Sequence, residues 1–112
     1  MSYIKLSERA RNDFQRLYEF LAQFDFAVGD NGKAATVAAL EELTVKPFNG
    51  SPVEDRPNVR KVVVDFGASG CLVFHKRYEK QDMNLVTAIL HQKELYEPKT
   101  IGLASETIEE KS

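Results

Sequence analysis

One stretch, Val59 to His91, constrains this chain most. It reads as three consecutive strands, Val59–Phe66, Cys71–Tyr78 and Leu85–His91, each rich in β-branched or aromatic residues. Gly67-Ala68-Ser69-Gly70 separates the first two and Glu79-Lys80-Gln81-Asp82 separates the second pair. Connections this short force antiparallel neighbours, so the spacing predicts a three-stranded meander. Val62-Val63-Val64 and Leu72-Val73-Phe74 interrupt the polar alternation. Such runs predict a sheet covered on one face and partly covered on the other.

Upstream, Tyr3-Ile4-Lys5-Leu6 is a short alternating run suited to a sheet edge. Ser7 follows as a helix N-cap, with Glu8 in the first turn. Ala10, Phe14, Leu17, Tyr18 and Leu21 recur at helical spacing, with Arg9, Arg11, Asp13, Gln15 and Arg16 assigned to the polar faces. The helix ends in an apolar group, Phe20, Leu21, Phe24 and Phe26, which reads as core or as a docking patch. Asp25 to Gly32, with Gly29, Asp30, Asn31 and Gly32, reads as a break. A second helix is expected over Lys33 to Lys46, its small Ala34, Ala35, Ala38 and Ala39 allowing close approach to the first. Pro47, Gly50, Pro52 and Pro57 then predict an irregular surface connection up to Asn58. The expected fold class is α+β, an N-terminal helical hairpin on a small antiparallel sheet in the order β-α-α-β-β-β.

With 112 residues and a 43% apolar fraction, the chain fits one domain with a real core. Residues 1–98 form that domain and residues 99–112 an acidic tail. The apolar runs are too short to cross a bilayer, and the first residues carry no signal-peptide pattern. The single cysteine, Cys71, excludes an internal disulfide framework, fits a reducing compartment, and reads as a small buried hydrophobe. Charge is unevenly spread: residues 1–55 carry six Lys/Arg against nine Asp/Glu, and residues 56–96 seven against four. The sheet region is mildly basic, which suits an acidic partner or simply a solvated edge.

Phosphate-loop, dinucleotide and metal-ligand patterns are absent, and no triad is readable. What remains is a loose polar set on or beside the sheet: Arg56, Arg60, Lys61, His75, Lys76, Arg77, His91, Lys93 and Tyr96. Such groups grip phosphate or carboxylate, or support acid–base work through His75 or His91. Alternation sets His75 and Arg77 on one face and Lys76 and Tyr78 on the other, so they do not all converge.

The order of elements and its residues resemble the ParE branch of the RelE/ParE toxin superfamily. The resemblance is carried by Ser7-Glu8-Arg9-Ala10-Arg11-Asn12-Asp13-Phe14 with Leu17, Tyr18 and Leu21, then Leu43, Pro47 and Gly50. Val59-Arg60-Lys61-Val62-Val63-Val64, Gly70-Cys71-Leu72-Val73-Phe74 and Ala88-Ile89-Leu90-His91 complete it. It implies a cytoplasmic bacterial toxin, without cofactor or metal, neutralised by a cognate antitoxin and meeting DNA only through that antitoxin. ParE-type members poison DNA gyrase and are not enzymes; RelE-type members cut mRNA in the ribosome. Arg60 and His91 fit the ParE pattern, while the middle strand lacks the early arginine of the RelE pattern. The target-binding residues expected on this basis are Arg60, Arg77, His91 and Lys93. Phe20, Phe24 and Phe26 are expected to meet the antitoxin. On the RelE alternative, catalysis falls to His75, His91, Lys93 and Tyr96. The chain departs from the ParE pattern at His75, where an aromatic is more usual, and at Ser51, where arginine often follows the glycine.

Overall fold

The computed structural model describes residues 2–66 and 70–91. The expected tail boundary near residue 98 lies outside them, as do Lys93 and Tyr96. The order is β1 (Tyr3–Leu6), α1 (Glu8–Ala22), α2 (Phe26–Val45), β2 (Ser51–Pro52), β3 (Val59–Asp65), β4 (Gly70–Tyr78) and β5 (Met83–His91), with a 3-10 turn at Glu79–Gln81. The α+β class and the helical hairpin on a sheet are as the sequence implies. The meander strands also fall where the β-branched runs put them.

The sheet is mixed rather than wholly antiparallel. Its order is β1-β5-β4-β3-β2, and β1 pairs in parallel with β5, Tyr3 opposite Met83 and Leu6 opposite Val86. The chain leaves β1 through both helices and returns beside it only with β5, the fourth strand after it, which runs in the same direction. Between Pro47 and Asn58 the chain is not wholly irregular. Ser51 and Pro52 pair with Lys61 and Arg60 as a two-residue edge strand, a place where proline costs no ladder bond.

The expected break from Asp25 to Gly32 is mostly helix. Only Gln23 to Asp25 connect the helices, and Asp25 caps α2 by accepting from the Ala27 amide at 2.7 Å. The glycines serve packing here instead of a turn. A β-carbon on Gly29 would come within 3.2 Å of Ala22 Cβ, and one on Gly32 within 2.6 Å of Leu21 Cδ1. They let the hairpin close tightly at its corner.

The helix-side core gathers Ala10, Leu17, Leu21 and Leu43 against Val62, Val64, Cys71, Val73, Val86 and Ile89. Cys71 is a buried thiol, 3.6 Å from Thr36 Oγ1, and burial raises its pKa. On the other face Phe74, Ala88 and Leu90 form a smaller apolar group with Leu72 and Val53. A register shift between Phe74 and His75 keeps His75 opposite Val86, and so on the helix side. None of the described helices is long and apolar enough to cross a membrane.

Candidate functional site

Two arginines expected at the site meet at one end of the sheet. Arg60 lies opposite His75, and Arg77 lies opposite Asn84. Period-two alternation puts all four on the face that carries Val62, Val64 and Val73, beyond the end of the helices. The loop leaving α2 drops Phe48 onto them. Its ring centroid is 5.9 Å from the Arg60 guanidinium carbon and 5.6 Å from that of Arg77, within cation–π range of both. Arg60 donates to the Gly50 carbonyl at 3.1 Å. Arg77 donates to Asp82 Oδ1 at 2.7 Å and to Ser2 Oγ at 3.2 Å, and Ser2 donates to the same Asp82 oxygen. These contacts hold the Asp82 carboxyl below its usual range. A cleft of about 140 Å³ opens between Phe48, Pro52, Asn58, Val59, Arg60 and Arg77.

His75 sits under this cluster rather than on the surface. It is 1% exposed, and its Nε2 is 3.0 Å from the Asn49 carbonyl oxygen, so the tautomer that satisfies the carbonyl carries the proton on Nε2. Burial pushes its pKa down, and the Arg60 charge adds to that; the Asn49 carbonyl and the adjacent Asn84 side chain pull the other way. Neutral His75 belongs to the fold. Four buried polar atoms at this end lack a well-formed hydrogen bond: His75 Nδ1, Asn84 Oδ1 and Nδ2, and Arg77 Nε.

A pH dependence follows. The folded pKa of His75 lies below the unfolded value near 6.5. The unfolded chain therefore binds this proton first, so the contribution is fully present above about pH 6.5 and falls as pH drops through and below that value. His75→Gln should cost stability at pH 8, and the gap to wild type should narrow by pH 5 in urea unfolding. A gap that stayed constant would mean that His75 does not titrate with unfolding.

His91 lies elsewhere. It is 4% exposed and opposite Cys71, six positions along β4 from Arg77. At roughly 3.3 Å per residue that is about 20 Å. Its ring centroid is 5.1 Å from that of Phe20, which meets Phe24 edge to face at 5.5 Å. Phe20 is half-buried, whereas Phe24 is 65% and Phe26 75% exposed. The expected target set thus divides between two ends of the molecule, and His91 joins the aromatic residues expected to meet the antitoxin. Among the RelE-type catalytic candidates, the two described residues, His75 and His91, are both buried and separated along the sheet.

Three residues of consequence escaped the sequence reading. Phe48 is one proline-loop residue among several in the sequence, and Asn84 precedes the expected strand Leu85–His91 but lies inside β5. Asp13, assigned to a polar face, is 4% exposed. Its carboxylate accepts from Arg9 Nε at 2.9 Å, Arg16 Nη2 at 3.2 Å and the Ile89 amide at 3.0 Å. The available signal was its flanking: arginines four before and three after, at a spacing shared with Ala10 and Leu17.

Residues 4–96 match the family described as the ParE toxin of the type II toxin–antitoxin system parDE. No curated protein matches the chain. Among solved structures, the chromosomal ParDE system from P. aeruginosa is similar with a TM-score of 0.65 and 15% identity, over 81% of this chain and 96% of that one. The isolated E. coli RelE toxin gives 0.62 and 13%, over 96% and 99%. The toxin of the intact E. coli RelBE complex gives 0.59 and 13%, over 80% and 95%. At such identities the structures speak for the fold, which both toxin branches share. The match over residues 4–96 decides between them at the level of family: this chain belongs to the ParE toxins of type II toxin–antitoxin systems.

Proposed function

We propose that this toxin acts by binding DNA gyrase, not by cutting ribosome-bound mRNA, and that a cognate antitoxin neutralises it. The observation that carries the reading is the dispersal of acid–base groups among the described residues. Cutting RNA needs a base, an acid and phosphate-binding cations within hydrogen-bond reach of one point. Here His75 and His91 are buried at separate places. The middle strand presents Cys71 and Val73 to one apolar cluster and Leu72 and Phe74 to the other. A protein-binding mechanism asks only for a shaped, mildly basic surface, and Arg60 and Arg77 supply one. His91, the other described member of the expected set, lies at the opposite end.

Induced expression without antitoxin should arrest bacterial growth. The purified protein should then inhibit gyrase supercoiling and accumulate cleavage complexes, and leave mRNA uncut in a translating extract. Codon-dependent cuts with gyrase unaffected would overturn the target. Normal growth with soluble protein present would favour a non-toxic binding module.

The antitoxin is expected at the hairpin corner. Phe24 and Phe26 are large exposed apolar side chains, Phe24 being joined through Phe20 to His91, and a wrapping segment is a common cover for such a surface. Phe24→Ser with Phe26→Ser should weaken antitoxin binding at least about tenfold, the loss of roughly 1.4 kcal/mol, with little change in unfolding midpoint. Hydrogen exchange should slow in α1 and α2 on complex formation. Absence of protection in both helices would remove the corner from the interface.

A further inference from the structure

We infer that the cleft between Phe48, Arg60 and Arg77 is a seat for one carboxylate side chain of a protein partner. This rests on the reading that these arginines face the target, and it names the chemistry the target must present.

The charge at this end is incompletely answered. Asp82 pairs with Arg77, whereas Arg60 is within ion-pair distance of no carboxylate among the described residues and has only the Gly50 carbonyl. Both guanidiniums are held against one phenyl ring, so their positions are set before any partner arrives. That preorganisation reduces the ordering cost of binding. Beside the cleft, Arg77 Nε is a buried donor without an acceptor, a condition that folded proteins rarely leave unanswered. Two planar guanidinium forks lining one cleft match the acceptor geometry of a carboxylate.

The surroundings favour a carboxylate over a phosphodiester chain. Pro52, Val59 and the Phe48 ring give the cleft apolar walls, which suit the methylenes of glutamate. A nucleic-acid strand brings a charge at every nucleotide and needs a stripe of cations. The neighbouring cations on these strands, Lys61 and Lys76, lie one position from Arg60 and Arg77 and therefore face the opposite side of the sheet. Counted over residues 1–96, the chain has no excess positive charge.

The test is a titration of the ¹⁵N-labelled full chain with an acetylated, amidated Gly-Leu-Glu-Leu-Gly peptide. The glutamine analogue and a single-stranded octathymidylate serve as comparisons. The Nε–Hε signals of Arg60 and Arg77 should move with the glutamate peptide and stay still with the glutamine one. Arg60→Gln should weaken the interaction about tenfold, as expected for loss of one charge-assisted hydrogen bond, with an unchanged amide spectrum elsewhere. Equal response to both peptides, no response to the glutamate peptide, or tighter binding of the oligonucleotide would overturn the inference. The outcome is independent of toxicity. A titration that succeeds while gyrase is untouched leaves the cleft and removes the target. Undiminished gyrase inhibition by Arg60→Gln removes the cleft and leaves the target.

Discussion

Leu17→Ala should destabilise the domain by about 2–5 kcal/mol, the range for truncating a buried leucine with incomplete collapse of the site. Leu17 is 2% exposed and sits in the helix-side cluster with Ala10, Leu21, Val86 and Ile89. It lies midway along α1, where the helix packs on β5 and α2, so the chain has little freedom to close the void. Burying a leucine contributes about 1.5–3 kcal/mol through transfer alone, and the rest is lost dispersion around the cavity. Phe14 is only half-buried beside the same cluster, so Phe14→Ala should cost less. Urea unfolding at constant m checks both. An unchanged midpoint for Leu17→Ala would show that α1 packs through another face.

The elements that the sequence predicted well are those whose side chains leave the backbone no alternative. Val59-Arg60-Lys61-Val62-Val63-Val64 has no helical spacing and too many β-branched residues for a loop, and it pairs over Val59–Asp65. The start of α2 departs from the sequence pattern because Gly29, Asp30, Asn31 and Gly32 are local turn residues. Their helical state comes from a tertiary contact, the approach of Gly29 to Ala22 and of Gly32 to Leu21, and no local pattern contains it. Parallel pairing of β1 with β5 was hidden for a similar reason. A four-residue alternating run fits either direction, and the crossover through the helices decides it.

The site was legible in its charges and illegible in its geometry. Alternation alone put His75 and Arg77 on one face, and they share it. It did not say that the face is sealed at His75 and open at Arg77, because that depends on where the loop at Phe48 and Asn49 folds back. Nor did it separate His91 from the arginines. Strand ends are near neighbours in sequence patterns and about 26 Å apart in a nine-residue strand.

Asp13→Ala should cost about 2–4 kcal/mol, although the change removes a charged residue from a helix. β1 ends at Leu6, opposite Val86, so the outer edge of β5 beyond that point has no strand partner. The first helix supplies the missing bonds instead. The Ser7 amide donates to the Val86 carbonyl at 3.0 Å, Ser7 Oγ to the Thr87 carbonyl at 3.3 Å, and the Ile89 amide donates to Asp13 Oδ2. Alanine leaves that buried amide without an acceptor, at about 1–3 kcal/mol, and strips Arg9 and Arg16 of their shared partner. Breaking a fully buried ion pair costs about 3–5 kcal/mol. The arginine side chains here are 24% and 47% exposed and can turn to water, which lowers the total. Asp13→Asn keeps an oxygen for the Ile89 amide while losing the charge, so it should cost about half as much as alanine at the low end of that range, near 1 kcal/mol. Native-state hydrogen exchange gives the second readout: the Ile89 amide should lose more protection in Asp13→Ala than the Val73 amide of the adjoining strand. If both variants stayed within about 0.5 kcal/mol of wild type, as ordinary surface changes do, α1 would not be the cap of the β5 edge.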